Sequence, residues 1–241
     1  MSDARGEILS RLRRSLKRGA LSEAEAASLT ARLAEHRRNL VPARAQSLDH
    51  RGRIDLFVAM AEEVEATVQR VASAADVPAE VADYLARLNL PARLVMTPDP
   101  QLDDISWPAQ PMLEIRRGRA EDGDVTGVTA CFAGIAETGT LMLLSGPASP
   151  TRNNFLPDNH IIVLRAGQVM ASYEDGWDRL RASSSLPDGG FAMPRAVNFI
   201  TGPSRTADIE QRLVLGAHGP RRLHIILVEE AQEGNDGPAA E

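Results

Sequence analysis

Two stretches of this 241-residue chain concentrate the residue types that do chemistry. In the first, Glu137 stands between the apolar segments 132–136 and 141–144. A carboxylate in that setting needs a hydrogen-bonding partner or takes a raised pKa. Either condition suits a glutamate that contacts a ligand or moves a proton. Gly139, two residues on, lets a ligand or another chain segment approach the backbone closely. The same residues also allow a purely structural ion pair from Glu137 to Arg152 or Arg205.

The second stretch is 196–228. Residues 196–200 read as a strand, and Gly202-Pro203 stops it. Ser204 or Thr206 is then placed to cap a short helix starting near Ala207, with Asp208 and Glu210 in its first turn. Arg205 falls at that strand-to-helix junction, where free N–H groups attract an anion. A guanidinium there grips a carboxylate or phosphate at two points. Gly216 and Gly219-Pro220 turn the chain about His218, and 223–228 returns as a buried strand. Two plainer readings stay open: Arg205 and Asp208 pair with each other, and His218 braces a turn. Ser204 would serve as a nucleophile only with a base, which His218 could supply. His160 opens a strand after Asn159. With no second histidine or carboxylate at metal-ligand spacing, it reads better as a satisfied core histidine.

The rare residues exclude several chemistries. One cysteine, Cys131, cannot hold an iron–sulfur cluster, a structural zinc or an intrachain disulfide. Its neighbours Ala130 and Phe132 suggest a buried thiol rather than a nucleophile. The one lysine, Lys17, lies near the start, so no Schiff-base or P-loop lysine is available in the body of the chain. No Gly-x-Gly-x-x-Gly, nucleophile elbow or His-Glu-x-x-His occurs. No apolar run reaches membrane-spanning length and the basic start lacks a signal-peptide core, so a cytoplasmic protein is expected.

These residues need elements to position them. Helix and strand alternate from residue 53 onward: helices at 53–65, 78–88 and 173–181, and strands at 67–71, 93–96, 112–115, 140–144 and 160–164. That order predicts a Rossmann-like, mostly parallel sheet with covering helices. Gly134 is expected to break the apolar segment before Glu137, and 183–190 to form a loop. Ahead of this body, 4–18 reads as an amphipathic helix with Ile8, Leu12 and Leu16 on one side. Ser22 and Glu25 form a capping box for a second helix with Leu29 and Leu33 inward. Residues 1–53 hold twelve Lys+Arg against six Asp+Glu, a charge of +6, which leaves −12 for the remainder. A basic arm over 1–48, including a linker from Pro42, is therefore expected to dock on protein. Nucleic acid is disfavoured because the arm lacks aromatics and the whole chain is acidic.

Two sequence blocks also carry a family resemblance. Thr201-Gly-Pro-Ser-Arg-Thr-Ala-Asp-Ile-Glu210 with Leu215-Gly-Ala-His-Gly-Pro220, and Ile135-Ala-Glu-Thr-Gly-Thr-Leu-Met-Leu143 with Leu156-Pro-Asp-Asn-His-Ile-Ile-Val163, resemble the LutC/YkgG lactate-utilisation proteins, the LUD domain. The resemblance covers about residues 56–229 and implies a LUD-type α/β domain over 49–230; the polar, Gly- and Pro-containing residues 231–241 read by themselves as a flexible tail. The implied fold is like that of the CoA-transferase and sugar-phosphate-isomerase (NagB/RpiA) superfamily, whose open sheets bind ligands at the carboxyl ends of strands. The implied role is a non-redox subunit in L-lactate oxidation to pyruvate, acting with LutA-like and LutB-like partners that hold the iron–sulfur clusters. No cofactor and no metal are expected in this chain. The alternative is a protein that binds or transforms a small carboxylate or phosphorylated ligand in a Glu137/Arg205 cleft. Glu137 and His218 are the catalytic candidates. Thr138, Gly139, Thr140, His160, Gly202, Ser204, Arg205, Thr206 and Asp208 are the candidate ligand contacts.

Overall fold

A computed structural model describes residues 4–17, 19–38, 40–184, 192–209 and 212–229, with only the backbone course given for 206–215. It divides into two compact units, Met1–Val41 and Pro42–Glu241.

The first unit holds α1 (Ala4–Ser15) and α2 (Glu23–Glu35). The capping box at the start of α2 forms as expected. Ser22 Oγ accepts from Glu25 N, and Ser22 N donates to the Glu25 carboxylate at 2.8 Å. The first helix ends sooner than the sequence suggests, and the chain turns at Lys17 with φ 49°. Leu29 and Leu33 are exposed, not inward.

The second unit begins with α3 (Ala43–Gln46), so the segment after Pro42 is not a bare linker: Ala45 is fully buried. Then follow α4 (His50–Glu63), β1 (Thr67–Val71), α5 (Val77–Arg87), β2 (Arg93–Met96), β3 (Glu114–Arg117) and β4 (Thr126–Ala130). After these come β5 (Ala133–Ile135), β6 (Thr140–Leu144), α6 (Arg152–Phe155), β7 (Asn159–Arg165), β8 (Val169–Met170) and α7 (Tyr173–Ser183). The last elements are β9 (Val197–Ile200), β10 (Arg205–Ile209), β11 (Arg212–Leu215) and β12 (Arg222–Val228).

Six strands make the parallel sheet, in the order β1-β12-β7-β4-β2-β3. Its central strands, such as 161–164 and 225–228, are unbroken apolar runs because both faces are covered. Val77, Val81 and Leu85 of α5 pack on Val128, Ile161 and Ile226 on one face. On the other, Ile54, Phe57 and Ala61 of α4 meet Ile162, Leu164, Ile225 and Leu227, together with Leu141 and Leu143.

Those last two belong to a second sheet, ordered β8-β5-β6-β9 and largely antiparallel, which the sequence did not announce. Gly134 lies inside its strand β5 rather than breaking it. A Cβ there would come 3.0 Å from Leu164 and 3.1 Å from Phe57, so the glycine serves close packing between the layers. Helix α7 covers the outer side through Leu180 and Trp177. Most of the expected 183–190 loop and the whole 231–241 tail lie outside the described residues.

Candidate functional site

Glu137 sits in the turn between β5 and β6. The turn is fixed from two sides. Ala136 N and Glu137 N continue the pairing toward β8, donating to Met170 O and Ala171 O. Gly139, at φ +63°, presses its backbone onto α4, where a Cβ would fall 2.3 Å from Ala61 N. The close approach expected at this glycine is therefore to a chain segment. So anchored, Glu137 Oε1 accepts from Tyr173 N, the first turn of α7, at 3.3 Å. Its Oε2 is buried with no hydrogen-bond partner. Burial is the main cause pushing this carboxyl above the usual range, and Glu174 and Asp175 add to it. The Tyr173 N–H and Arg44 act in the opposite sense.

The residues that follow Glu137 join a set of four hydroxyls. Thr138 Oγ1 and Thr140 Oγ1 are 2.7 Å apart, and the Tyr173 hydroxyl is 3.1 and 2.9 Å from them. Thr140 reaches Thr201 Oγ1 at 2.7 Å. The ends of β5 and β9, the start of β6 and the start of α7 thus converge. Tyr173 and Thr201 were not singled out from the sequence. The usable signal was Ser172 with Asp175 three residues on, a capping box that fixes where α7 begins and so where Tyr173 points.

The Arg205 stretch departs from expectation. No helix starts at Ala207; β10 and β11 form a hairpin instead. Arg205 is therefore not at a helix N-terminus, and the anion-attracting N–H groups invoked for it are absent from that place. Its guanidinium is engaged by Glu65 at 3.1 Å and by Val64 O at 3.2 Å, at the end of α4. Gly202 (φ +75°) lies against the same carbonyl, 2.4 Å from where its Cβ would stand. The alternative of a structural ion pair between Glu137 and Arg205 or Arg152 is not what the described residues form. Arg152 pairs with Asp122. Ser204 Oγ accepts the backbone N–H of the exposed His218 at 3.3 Å, so the contact between these residues does not run through the imidazole. The side chains of Thr206 and Asp208 lie outside the described residues.

His160 is a core residue, as its sequence setting favours. It is fully buried in β7, with Nε2 2.8 Å from Thr129 Oγ1 and Nδ1 without a partner. Burial pushes its pKa down to about 3. A second histidine, His224, whose sequence neighbours form no useful constellation, is also buried. His224 has Nδ1 2.8 Å from Thr67 Oγ1 and its ring stacked 4.1 Å from Tyr84. Its Nε2 is 3.3 Å from Glu80 Oε1, too oblique for a hydrogen bond. Burial first, then Arg87, lowers its pKa to about 4.

Cys131 is fully buried, its Sγ 3.2 Å from Ala133 O, and burial pushes the thiol up to about 12. Native protein should accordingly resist a chromogenic thiol reagent for hours and release one equivalent only in denaturant. Rapid labelling of native protein would show that the β4–β5 connection opens. Among the described residues no group of three or more His, Cys, Asp or Glu is placed to hold a metal ion. Nor is any helix long and apolar enough to cross a membrane.

Comparison with known proteins places this geometry. The model of the LUD domain matches residues 54–228. A lactate utilization protein C from Halalkalibacterium halodurans is 35% identical over 112 residues, 46% of this chain and 47% of that protein. One from Deinococcus radiodurans is 32% identical over 163 residues, 65% of this chain and 70% of that protein. For the first three relatives, the match spans about half the length of the curated protein. The crystal structure of a DUF162 family protein from Deinococcus radiodurans superposes with a TM-score of 0.54 at 26% identity. That match covers 75% of this chain and 99% of the other.

Proposed function

Because the chain belongs to the LUD domain family, we propose that it is a non-redox component of an L-lactate utilisation system, working with LutA-like and LutB-like iron–sulfur proteins. The names of its relatives support the pathway. The single buried cysteine supports the division of labour. Oxidising lactate to pyruvate releases two electrons, and one thiol held protonated in the core cannot ligate a cluster to receive them. The electron-accepting centres then belong to the partners.

A second reading rests on a specific observation. The unpartnered Glu137 Oε2, on the same turn as the hydroxyl set, leaves polar capacity unused. It suits a small hydroxy- or oxo-carboxylate, and the raised pKa of Glu137 eases the approach of such an anion. With Arg205 committed to Glu65, the cleft contracts to Glu137, Thr138, Thr140, Tyr173 and Thr201.

Deleting the gene in its native host is expected to abolish growth on L-lactate while growth on pyruvate continues. The pure chain should reduce no dye with lactate, and activity should appear only with the iron–sulfur partners present. Lactate-dependent reduction by the pure chain would overturn the first reading. For the second, lactate or pyruvate should raise the melting temperature saturably, and Glu137→Gln should remove the effect. No shift with either acid would discard it.

A further inference from the structure

Neither α1 nor α2 buries a single residue. Helices of 12 and 13 residues are marginal in water by themselves, and most helical stability in proteins comes from packing an apolar face. Each of these helices carries such a face. On α1 and the residue after it, Ile8, Leu12 and Leu16 align one turn apart and are 61%, 51% and 64% exposed. On α2, Leu29 and Leu33 align likewise, 42% and 75% exposed.

The charges around the two faces are opposite. Helix α1 carries Arg5, Arg11, Arg13 and Arg14 against Glu7. Helix α2 carries Glu23, Glu25 and Glu35 against Arg32, with Glu35 paired to Arg37 just beyond the helix, which leaves it weakly acidic. Two α1 helices would repel each other, and so would two α2 helices, whereas α1 against α2 is attractive. Within their own unit, neither helix covers the other's apolar face. We propose that the Met1–Val41 unit is a self-association element: α1 of one copy packs on α2 of a second copy. The two-fold repeat of that contact closes a four-helix bundle. The pairing is isologous, so a single patch supplies both halves of the interface. A lipid surface is the poorer occupant, since the unit has no aromatic residue to seat at an interface and α2 is acidic.

The test uses the full chain. Sedimentation velocity from about 1 to about 100 µM should show conversion from one chain to a dimer, that is, to twice the 26.0 kDa of the monomer. The association should weaken as salt rises from about 0.1 to about 1 M. Leu12→Asp and Leu33→Asp should each give a monomer throughout, with helical circular dichroism reduced. Their thermal melting should stay within a few degrees of the wild type, which separates loss of pairing from loss of folding. A wild-type chain monomeric over the whole range would overturn the proposal, as would a dimer indifferent to both substitutions. An arm that remains monomeric and gains helicity only on anionic vesicles would also overturn it, in favour of lipid.

Discussion

Gly139→Ala is expected to destabilise the α/β unit by about 2–5 kcal/mol, the combined cost of a left-handed non-glycine residue and of overpacking. The new Cβ would meet Ala61 N at 2.3 Å and the Met60 carbonyl carbon at 2.5 Å, both backbone atoms that no rotamer change can move aside. The turn must lift from α4 or the helix must shift. Either movement draws Glu137 away from Tyr173 N and loosens the hydroxyl set. Urea unfolding read by circular dichroism checks the magnitude. The control is Gly146→Ala, where a Cβ meets nothing within 4 Å. If the two variants unfold alike, the turn is not pressed on the helix as described.

Acidification should unfold this protein unusually early. His160 and His224 are both held neutral by burial, at about 3 and about 4 against an ordinary 6.5. The unfolded chain therefore binds more protons than the folded one between those limits. Stability from this source is complete above pH 6.5 and is lost as pH falls toward the folded values. With two histidines the stability falls by about 3 kcal/mol per pH unit between those limits, so moving from pH 6.5 to 4.5 removes about 5 kcal/mol. That is a large part of the stability of an ordinary domain. The raised carboxyl of Glu137 acts in the other direction, since its contribution is present at low pH and lost as pH rises through its folded value. One half-buried carboxyl cannot cancel two core histidines. Denaturant midpoints measured from pH 7.5 to 4.5 should fall steeply below 6.5, and His160→Gln should remove about half the slope. A flat profile would mean that these histidines stay protonable in the fold.

How far the sequence foretold all this varies by element. Residues 67–71 and 93–96 appear as strands at their predicted bounds, because short segments bounded by helix ends and turn signals have few alternatives. The parallel sheet followed from helix–strand alternation. The second sheet did not, since β5 has three residues and β8 two, too few for any periodicity to register. The 205–215 error has a different cause. Asp208 and Glu210 suit a helix's first turn, but so short a segment takes its conformation from pairing with its neighbour. In the site, Glu137 and Gly139 were legible from local contrast, a charge and a glycine between apolar runs. Tyr173 was not, because it meets Glu137 36 residues along the chain. Nor was His224, whose partner Thr67 is 157 residues away.

The position of β12 has a consequence for how the chain is made. This strand enters between β1 and β7 and is the neighbour β1 pairs with, although Thr67 and His224 stand so far apart in sequence. During synthesis β1 leaves the ribosome long before the strand that completes its ladder. Until β12 arrives, β1 and β7 each present an open edge, and the apolar residues meant to meet Ile225 to Val228 face water. The nascent protein therefore passes through a long window as a partial sheet, the kind of species that pairs wrongly with another chain. Closure of the sheet is a late event with a large loop-closure cost, and folding in the test tube should be correspondingly slow. Premature termination anywhere before Arg222 would remove β12 and leave β1 stranded beside a sheet reduced to β7, β4, β2 and β3.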